Sequence, residues 1–365
     1  MFELDIPIPA VGQQSYKIHI GNGLLATVAE AVAAGWPRRA QFVVTDSNVA
    51  DAGLVDTLVA GRKIPAFVID PAGEPSKHMQ TVVAIVEAME KAALGRDTVV
   101  LALGGGVVGD VAGFAASIFK RGVPVVQIPT TTLAQADSAV GGKTGVDSSV
   151  SKNAFGTFWH PATVYIDVAT LRTLDDRQFR AGLVESVKHA VIADKDYFEF
   201  LEGHLDAILS RTPEVLETLA EKNCRIKGHV VALDPDEKDM RRILNYGHTI
   251  GHAVESASRY QLLHGEAVAI GMVGACLIET AMGLDTQGRL DRVKALLDRL
   301  GVPTRIPAAL AMEQVMGLLQ HDKKAVDKWP KFVLTNELGK VYRQEGGWAV
   351  DVPRDVVAKA INRLY

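Results

Sequence analysis

Thr98-Val-Val-Leu-Ala-Leu-Gly-Gly-Gly-Val-Val-Gly-Asp110 is the stretch on which the fold turns. Thr98 to Leu103 is a short apolar run of strand type, and Gly104, Gly106 and Gly109 follow it in the spacing G-x-G-x-x-G. A small-residue apolar helix pattern comes next. Glycines between a strand and a helix let backbone N–H groups and a helix N-terminus approach a pyrophosphate. Working outward, further strand-like runs lie at Tyr16 to Ile20, Gln41 to Asp46, Pro65 to Asp70, Pro124 to Ile128 and Thr163 to Asp167. Between two of them, Lys77 to Leu94 places Met79, Val82, Val83, Val86, Met89 and Ala93 at helical spacing. Such alternation predicts a parallel α/β sheet covered by helices. The glycine loop follows the fourth strand rather than the first, and no acid stands near 20 residues downstream to grip a ribose. That contact is expected from other strand ends: Asp46 with Asn48, or the Gly73-Glu74-Pro75-Ser76-Lys77 turn.

After residue 175 helical patterns follow one another: Arg177 to Ala193, Pro213 to Leu233, Arg241 to Arg259, Gly265 to Met282 and Gly288 to Leu300. The next strand-like run is Lys331 to Leu334. The 365 residues therefore read as two domains, an α/β domain over 1–175 and a mostly helical one over 176–365, with no Gly/Ser linker between them. A formal net charge of −4 offers no long-range attraction to nucleic acid or an anionic membrane, so an anionic ligand has to be held by locally clustered cations. Cys224 and Cys276 lie in helical segments without C-x-x-C spacing and are expected to be buried and reduced, in a cytoplasmic setting. The first residues, MFELDIPIPA, lack the pattern of a signal peptide. The apolar stretch Ala267 to Ile278 is too short to span a bilayer.

His248 and His252 stand four apart on one helix face in NYGHTIGHAVE, and His264 follows in LHGEAVA. Thr249 occupies the position where a metalloprotease needs its Glu, which argues against proteolysis. Upstream, Glu185, Lys188 and His189 share a helix face opposite Leu183, Val187 and Val191. Two histidines and one carboxylate with an open fourth position make a catalytic zinc pattern. Spacing alone leaves His248, His252, His264, Glu185, Glu255 and Glu266 all as candidate ligands. Around these motifs lie Arg121, Lys143, Lys152, Lys188, Lys227, Arg241 and the pair Lys323-Lys324. Together they suit a small substrate bearing phosphate and carboxylate groups.

The strings LALGGGVVGDVAGFAA (101–116), RGVPVVQIPTTTLAQADSAVGGKTGVD (121–147), KNAFGTFWHP (152–161), RAGLVESVKHAVI (180–192), RRILNYGHTIGHAVE (241–255) and LHGEAVAIGM (263–272) carry a resemblance. In order, and over nearly the whole chain, they are similar to the 3-dehydroquinate synthase family of sugar phosphate cyclases. The resemblance implies a Rossmann-like NAD-binding α/β domain, a helical domain, zinc or cobalt between them, and a homodimer. It implies conversion of 3-deoxy-D-arabino-heptulosonate 7-phosphate to 3-dehydroquinate and phosphate: transient oxidation by NAD, phosphate elimination, re-reduction, and an intramolecular aldol step. Glu185, His248 and His264 match the family's metal ligands, leaving His252 as an acid or base beside the substrate. NAD contacts carry over to Asp46, to Gly73, Glu74, Pro75, Ser76, Lys77 and His78, and to Gly106, Val107, Val108, Gly109 and Asp110. They continue through Thr130, Thr131, Lys143, Lys152, Thr170, Leu171, Arg172 and Thr173. Substrate contacts carry over to Arg121, Asp137, Lys143, Lys152, Asn153, Lys188, Lys227, Glu237, Arg241, Asn245 and His252, and to one lysine of the Lys323-Lys324 pair, taken as Lys324. One departure is Ser148-Ser149-Val150-Ser151 before Lys152, where many members have a His-Pro or similar pair and then Gly. A sibling cyclase keeps less of the Lys227, Asn245 and His252 pattern, and an NAD-dependent metal alcohol dehydrogenase needs no such set of cations.

Overall fold

The computed structural model describes residues 15–235, 237–285, 288–319 and 329–365. Its first part runs β1 (Lys17–Gly21), α1 (Leu25–Gly35), β2 (Ala40–Asp46), α2 (Ser47–Asp51), α3 (Leu54–Val59), β3 (Ala66–Ile69), α4 (Met79–Lys91), β4 (Thr98–Gly104), α5 (Gly106–Ile118) and β5 (Val125–Pro129). A hairpin, β6 (Lys143–Val146) with β7 (Phe155–Phe158), then precedes β8 (Thr163–Asp167). Six strands form one sheet in the order β1-β8-β5-β4-β2-β3, and every pairing in it is parallel. The strand-to-strand register is regular, with Val100 opposite Phe42 on one side and Val125 on the other.

β4 lies at the centre and is buried along its whole length, so its residues serve two cores by simple alternation. Val99, Leu101 and Leu103 face α1 with Leu25 and Val28. Val100 and Ala102 face the other way, toward Val82 and Ile85 of α4 and Val111 and Ala112 of α5. Helices on both faces explain why inner strands such as β4 and β5 read as continuous runs rather than alternating ones.

The rest of the chain is mainly helical: α6 (Asp176–Ala193), α7 (Lys195–Leu209), α8 (Pro213–Leu233), α9 (His248–Ala257), α10 (His264–Ala281), α11 (Arg289–Leu300) and α12 (Met312–Leu319). A small hairpin of β9 (Thr335–Glu337) and β10 (Lys340–Val341) precedes α13 (Arg354–Asn362). The apolar stretch around Ala267 to Ile278 belongs to α10, which is buried on all sides. A helix apolar all round is a central bundle helix when its neighbours enclose it. Among the described residues, no helix is long and apolar enough to cross a membrane.

Several expectations need correction. The helix expected over Arg241 to Arg259 is broken: a 3-10 turn covers Met240–Asn245, and α9 starts at His248. Gly247 takes φ 75°, left-handed backbone that ends any continuous helix there. Lys331 to Leu334 forms no strand, and Phe332 alone bridges to Val350. The helix Lys195–Leu209 was not among those expected, and neither was the β6–β7 hairpin. The face of α6 bearing Glu185, Lys188 and His189 is as buried as its apolar stripe.

Candidate active site

At the carboxyl edge of the sheet, β2 leads outward to β3 while its neighbour β4 leads the other way to β5. This reversal is the crevice where open α/β sheets bind ligands. Asp46 ends β2, and Gly104 ends β4 with Gly105 and Gly106 turning into α5, so both sequence signals arrive at the same place. Gly105, the N-cap of α5, has no side chain with which to cap, which leaves the first-turn N–H groups of that helix to an anion. Gln127 Nε2 donates to the Gly109 carbonyl at 3.1 Å and holds the turn to the sheet. Asp46 accepts from the Val49 amide at 3.0 Å, and its burial raises its pKa. Lys77 Nζ lies 2.8 Å from Asp110, tying the turn after β3 to α5. Burial lowers the Lys77 pKa, but the carboxylates of Asp110 and Glu74 outweigh it and keep the ammonium charged. Burial also lifts the Asp110 pKa, against the pull of Lys77.

The other residues expected at the cofactor fall into two groups. Gly73, Glu74, Pro75 and Ser76 form the turn leading to Lys77, and His78 accepts from the Thr81 amide at the start of α4. Thr130 follows β5, Thr131 Oγ1 accepts from the Ala134 amide at 3.1 Å, and Thr170 to Thr173 lie in the 3-10 turn after β8. Val108 and Leu171 are packed into the cores, so their side chains support the edge rather than face it. Val107 is half-buried and Arg172 exposed.

The histidines meet Glu185 through close backbone packing. A Cβ on Gly271 of α10 would sit 1.9 Å from the Gly247 carbonyl oxygen, so α10 and the start of α9 touch backbone to backbone. A Cβ on Gly265 would sit 1.8 Å from the Ala181 carbonyl oxygen, which seats the start of α10 directly on α6. His248 Nε2 and His264 Nε2 consequently converge on Glu185 Oε1, at 3.7 and 3.8 Å. The outer nitrogens are engaged: His248 Nδ1 faces the Tyr246 carbonyl oxygen at 3.0 Å and His264 Nδ1 faces Glu255 Oε2 at 3.2 Å. Hydrogen bonds of this kind orient imidazoles whose other nitrogen binds a metal. Burial, Lys188 and the two neighbouring histidines hold the His248 pKa well below its usual value, leaving a neutral ring. Burial lowers the His264 pKa too, but the Glu255 hydrogen bond and the Glu185 charge outweigh it and raise the pKa overall.

Glu185 is 1% exposed, and its Oε1 has no hydrogen-bond donor, an unusual state for a buried carboxylate oxygen. A divalent cation fits this donor set of one carboxylate and two imidazoles. His252 is exposed, with its ring 5.3 Å from that of His248 and 5.7 Å from that of His264. Glu266 is committed elsewhere, to Arg177 at 2.7 Å and to the Leu263 amide at 2.8 Å.

Next to Glu185 lies a buried charged cluster. Lys188 pairs with Glu185, and Lys227 Nζ lies 2.7 Å from Asp137 Oδ1 and also donates to the Asp137 carbonyl. Burial would raise the Asp137 pKa, yet Lys227, Lys188 and His189 hold it well below the usual carboxylate range. Burial and the neighbouring cations lower the Lys227 pKa despite Asp137. Arg241, 2% exposed, donates to the carbonyls of Pro235 at 3.0 Å and Gly141 at 3.3 Å. Lys143 pairs with Glu237. Lys152 lies 3.2 Å from Glu74 and 3.1 Å from Glu255, so one cation joins the turn after β3 to the support of His264. Asn153, at φ 51°, donates its amide to Asp147 at 2.6 Å, and Asn245 ends the 3-10 turn before His248.

One expected residue among those described is not brought to this cluster. Arg121 sits beyond the far end of α5, about 20 Å from the glycine loop at helical rise. Lys324 lies outside the described residues. Conversely, His189, Asn223 and Ser186 were given no role from sequence. His189 Nδ1 donates to Asn223 Oδ1 at 3.0 Å, Asn223 Nδ2 donates to Ser186 at 2.9 Å, and His189 Nε2 faces Asp137 Oδ1 at 3.8 Å. His189 adjoins Lys188 in sequence, but Asn223 had no local signal because its partner lies on another helix.

The chain matches the family models described as 3-dehydroquinate synthase N-terminal over residues 67–181 and 3-dehydroquinate synthase C-terminal over residues 182–325. A 3-dehydroquinate synthase of Acidithiobacillus ferrooxidans is 44% identical over 333 residues, 90% of this chain and 91% of that protein. Among solved structures, 2-deoxy-scyllo-inosose synthase complexed with carbaglucose-6-phosphate, NAD+ and Co2+ superposes with a TM-score of 0.87 at 29% identity, covering 96% of this chain and 97% of the other. The 2-epi-5-epi-valiolone synthase of Streptomyces hygroscopicus, with NAD+ and Zn2+ bound, superposes with a TM-score of 0.86 at 30% identity, covering 98% and 99%.

Proposed function

Since the chain belongs to the 3-dehydroquinate synthase family, we propose that it converts 3-deoxy-D-arabino-heptulosonate 7-phosphate to 3-dehydroquinate and inorganic phosphate. It acts as a carbon–oxygen lyase that uses NAD and a divalent metal, zinc or cobalt, without net oxidation. The observation that carries this reading is the convergence of His248 and His264 on Glu185 beside the buried cluster of Lys188, Asp137 and Lys227.

Glu185, His248 and His264 would hold the metal, and the crevice between β2 and β4 would hold NAD. When bound, these groups supply Lewis acidity at a substrate hydroxyl and reversible hydride exchange. The chain's own residues bind and orient the substrate. Lys152, Lys188, Lys227 and Arg241 offer cations for its carboxylate and phosphate, and Asp137 keeps Lys227 in place. Lys188, Lys227 and Arg241 are buried, and cations in such a setting stabilise charge that develops as the phosphate leaves. His252, exposed beside the two ligand histidines, is placed to hold or move a proton at its imidazole.

The division after residue 175 is also proposed, supported by the start of α6 at Asp176. A homodimer is the proposed assembly. Its support is β7, an outer hairpin strand whose Phe155 and Phe158 are 46% and 52% exposed. A cytoplasmic location is supported by the buried, unpaired thiols of Cys224 and Cys276.

The test is to incubate purified protein with the heptulosonate phosphate, NAD and zinc or cobalt, and to follow phosphate release. No release, with turnover of another sugar phosphate instead, refutes the assignment.

A further inference from the structure

A cavity of about 550 Å³ is walled by sequence neighbours of Lys188, Lys227 and Arg241. Its size is that of an ordinary small-molecule site. The apolar walls come from Ile226 and Val230 of α8, Met240 and Ile243 of the 3-10 turn, Val341 of β10 and Trp348 beyond it. Arg225, His229, Lys340 and Arg343 stand among the lining residues; Arg225 pairs with Glu221, Lys340 lies 3.1 Å from Glu337, and Arg343 donates to the Gly346 carbonyl at 2.6 Å, while Asp194, the acid of the lining, caps α7 through the Tyr197 amide at 2.9 Å. The wall is built rather than incidental. Gly339 donates to the Val191 carbonyl at 2.9 Å, and at φ 80° a Cβ there would lie 2.7 Å from the Lys195 nitrogen, so the hairpin is seated directly on the α6–α7 junction. Arg343 stacks on Trp348 at 4.3 Å.

We propose that this cavity is a second binding site, for a small organic carboxylate with an apolar body, distinct from the substrate site. Apolar walls call for an apolar ligand, and the Arg343 guanidinium, held flat on Trp348 at the rim, calls for a negative charge on it. Its walls also place it next to the chemistry. Ile226 adjoins Lys227, Met240 adjoins Arg241, and Ile192 lies one turn beyond Lys188 on α6. An occupant therefore bears on the three segments that position Lys188, Lys227 and Arg241, and it alters turnover. That coupling clause rests on the proposed function; the binding clause does not.

The test is calorimetric titration of the metal- and NAD-loaded protein, saturated with inorganic phosphate, with 3-phenylpropionate and with its uncharged counterpart 3-phenylpropan-1-ol. Arg225 and Arg343 are exposed, so Arg225→Ala/Arg343→Ala is expected to fold normally. Saturable binding of the carboxylate, weakened about tenfold or more in the double variant and in the alcohol, is the expected result. Equal binding by the double variant, or no binding by the wild type, overturns the site. In phosphate-release assays the carboxylate should change the wild-type rate and leave the double variant unaffected. Binding with no change in rate overturns the coupling. Absence of phosphate release with binding intact refutes the proposed function and leaves the site standing.

Discussion

His189 is expected to make the protein acid-sensitive through a single buried ring. Burial and the adjacent Lys188 push its pKa from 6.5 down to about 4, against the opposing pull of Asp137. The folded chain thus keeps His189 neutral while the unfolded chain protonates it near 6.5, so between those values the unfolded state binds more protons. Stability from this group is therefore fully present above the unfolded value and is lost as pH falls from there toward the folded value. The full difference is about 3 kcal/mol, of which about 2 kcal/mol is lost between pH 7 and pH 5. Replacing the ring by His189→Asn removes the titration and leaves an amide beside Asn223. Urea unfolding of both metal-free proteins at the two pH values isolates the effect, because the remaining histidines contribute equally to each. The wild type should lose about 2 kcal/mol more than the variant between pH 7 and pH 5. Parallel losses in the two proteins would show that His189 is not held neutral and that its bond to Asn223 does not set its state.

Three further outcomes follow from the site, and a fourth from an open helix surface. His248→Ala should lose bound metal together with activity, whereas His252→Ala should keep the metal and lose activity; equal metal loss by elemental analysis would instead favour three histidine ligands. Gly265→Ala should weaken metal binding and lower the melting temperature by at least about 5 °C, since its Cβ would meet a carbonyl oxygen at 1.8 Å. Gly203→Ala, where no atom lies within 4 Å, should instead add about 0.5–1 kcal/mol of stability, which a urea titration measures. Lys77→Met should leave the half-buried Asp110 without its partner, costing about 1–3 kcal/mol and weakening NAD binding in calorimetry, while metal content is unchanged.

Legibility differed by the kind of signal. The six sheet strands could be placed to within a residue at each end: inner strands such as β4, buried on both faces, are continuously apolar, and the edge strand β1 alternates polar Lys17 and His19 with apolar Ile18 and Ile20. The hairpin 143–158 was hidden: Lys143-Thr-Gly-Val lacks alternation, and Phe155-Gly-Thr-Phe is exposed along its length. The break before α9 was hidden too, since the apolar spacing runs through it and the left-handed Gly247 interrupts it without changing the pattern. At the site, the residue types were legible and the pairings were not. His248 and His252 share a face by spacing alone, but nothing local joins either to Glu185, more than sixty positions upstream.

By itself the sequence determined the parallel sheet, the glycine turn at the centre of it, the helical second half and a pool of candidate ligands and cations. These follow from local periodicity and from backbone needs that particular residues meet. Tertiary structure alone decided which members of that pool act together. Glycine contacts between α9 and α10, and between α10 and α6, set the distance at which His248 and His264 face Glu185. Burial then leaves His248 and His189 neutral, while opposite charges packed beside Lys188 and Asp137 overcome the same burial and keep those two charged. Neither effect has a local signature, because both depend on groups far apart in the chain sharing a space that water has left.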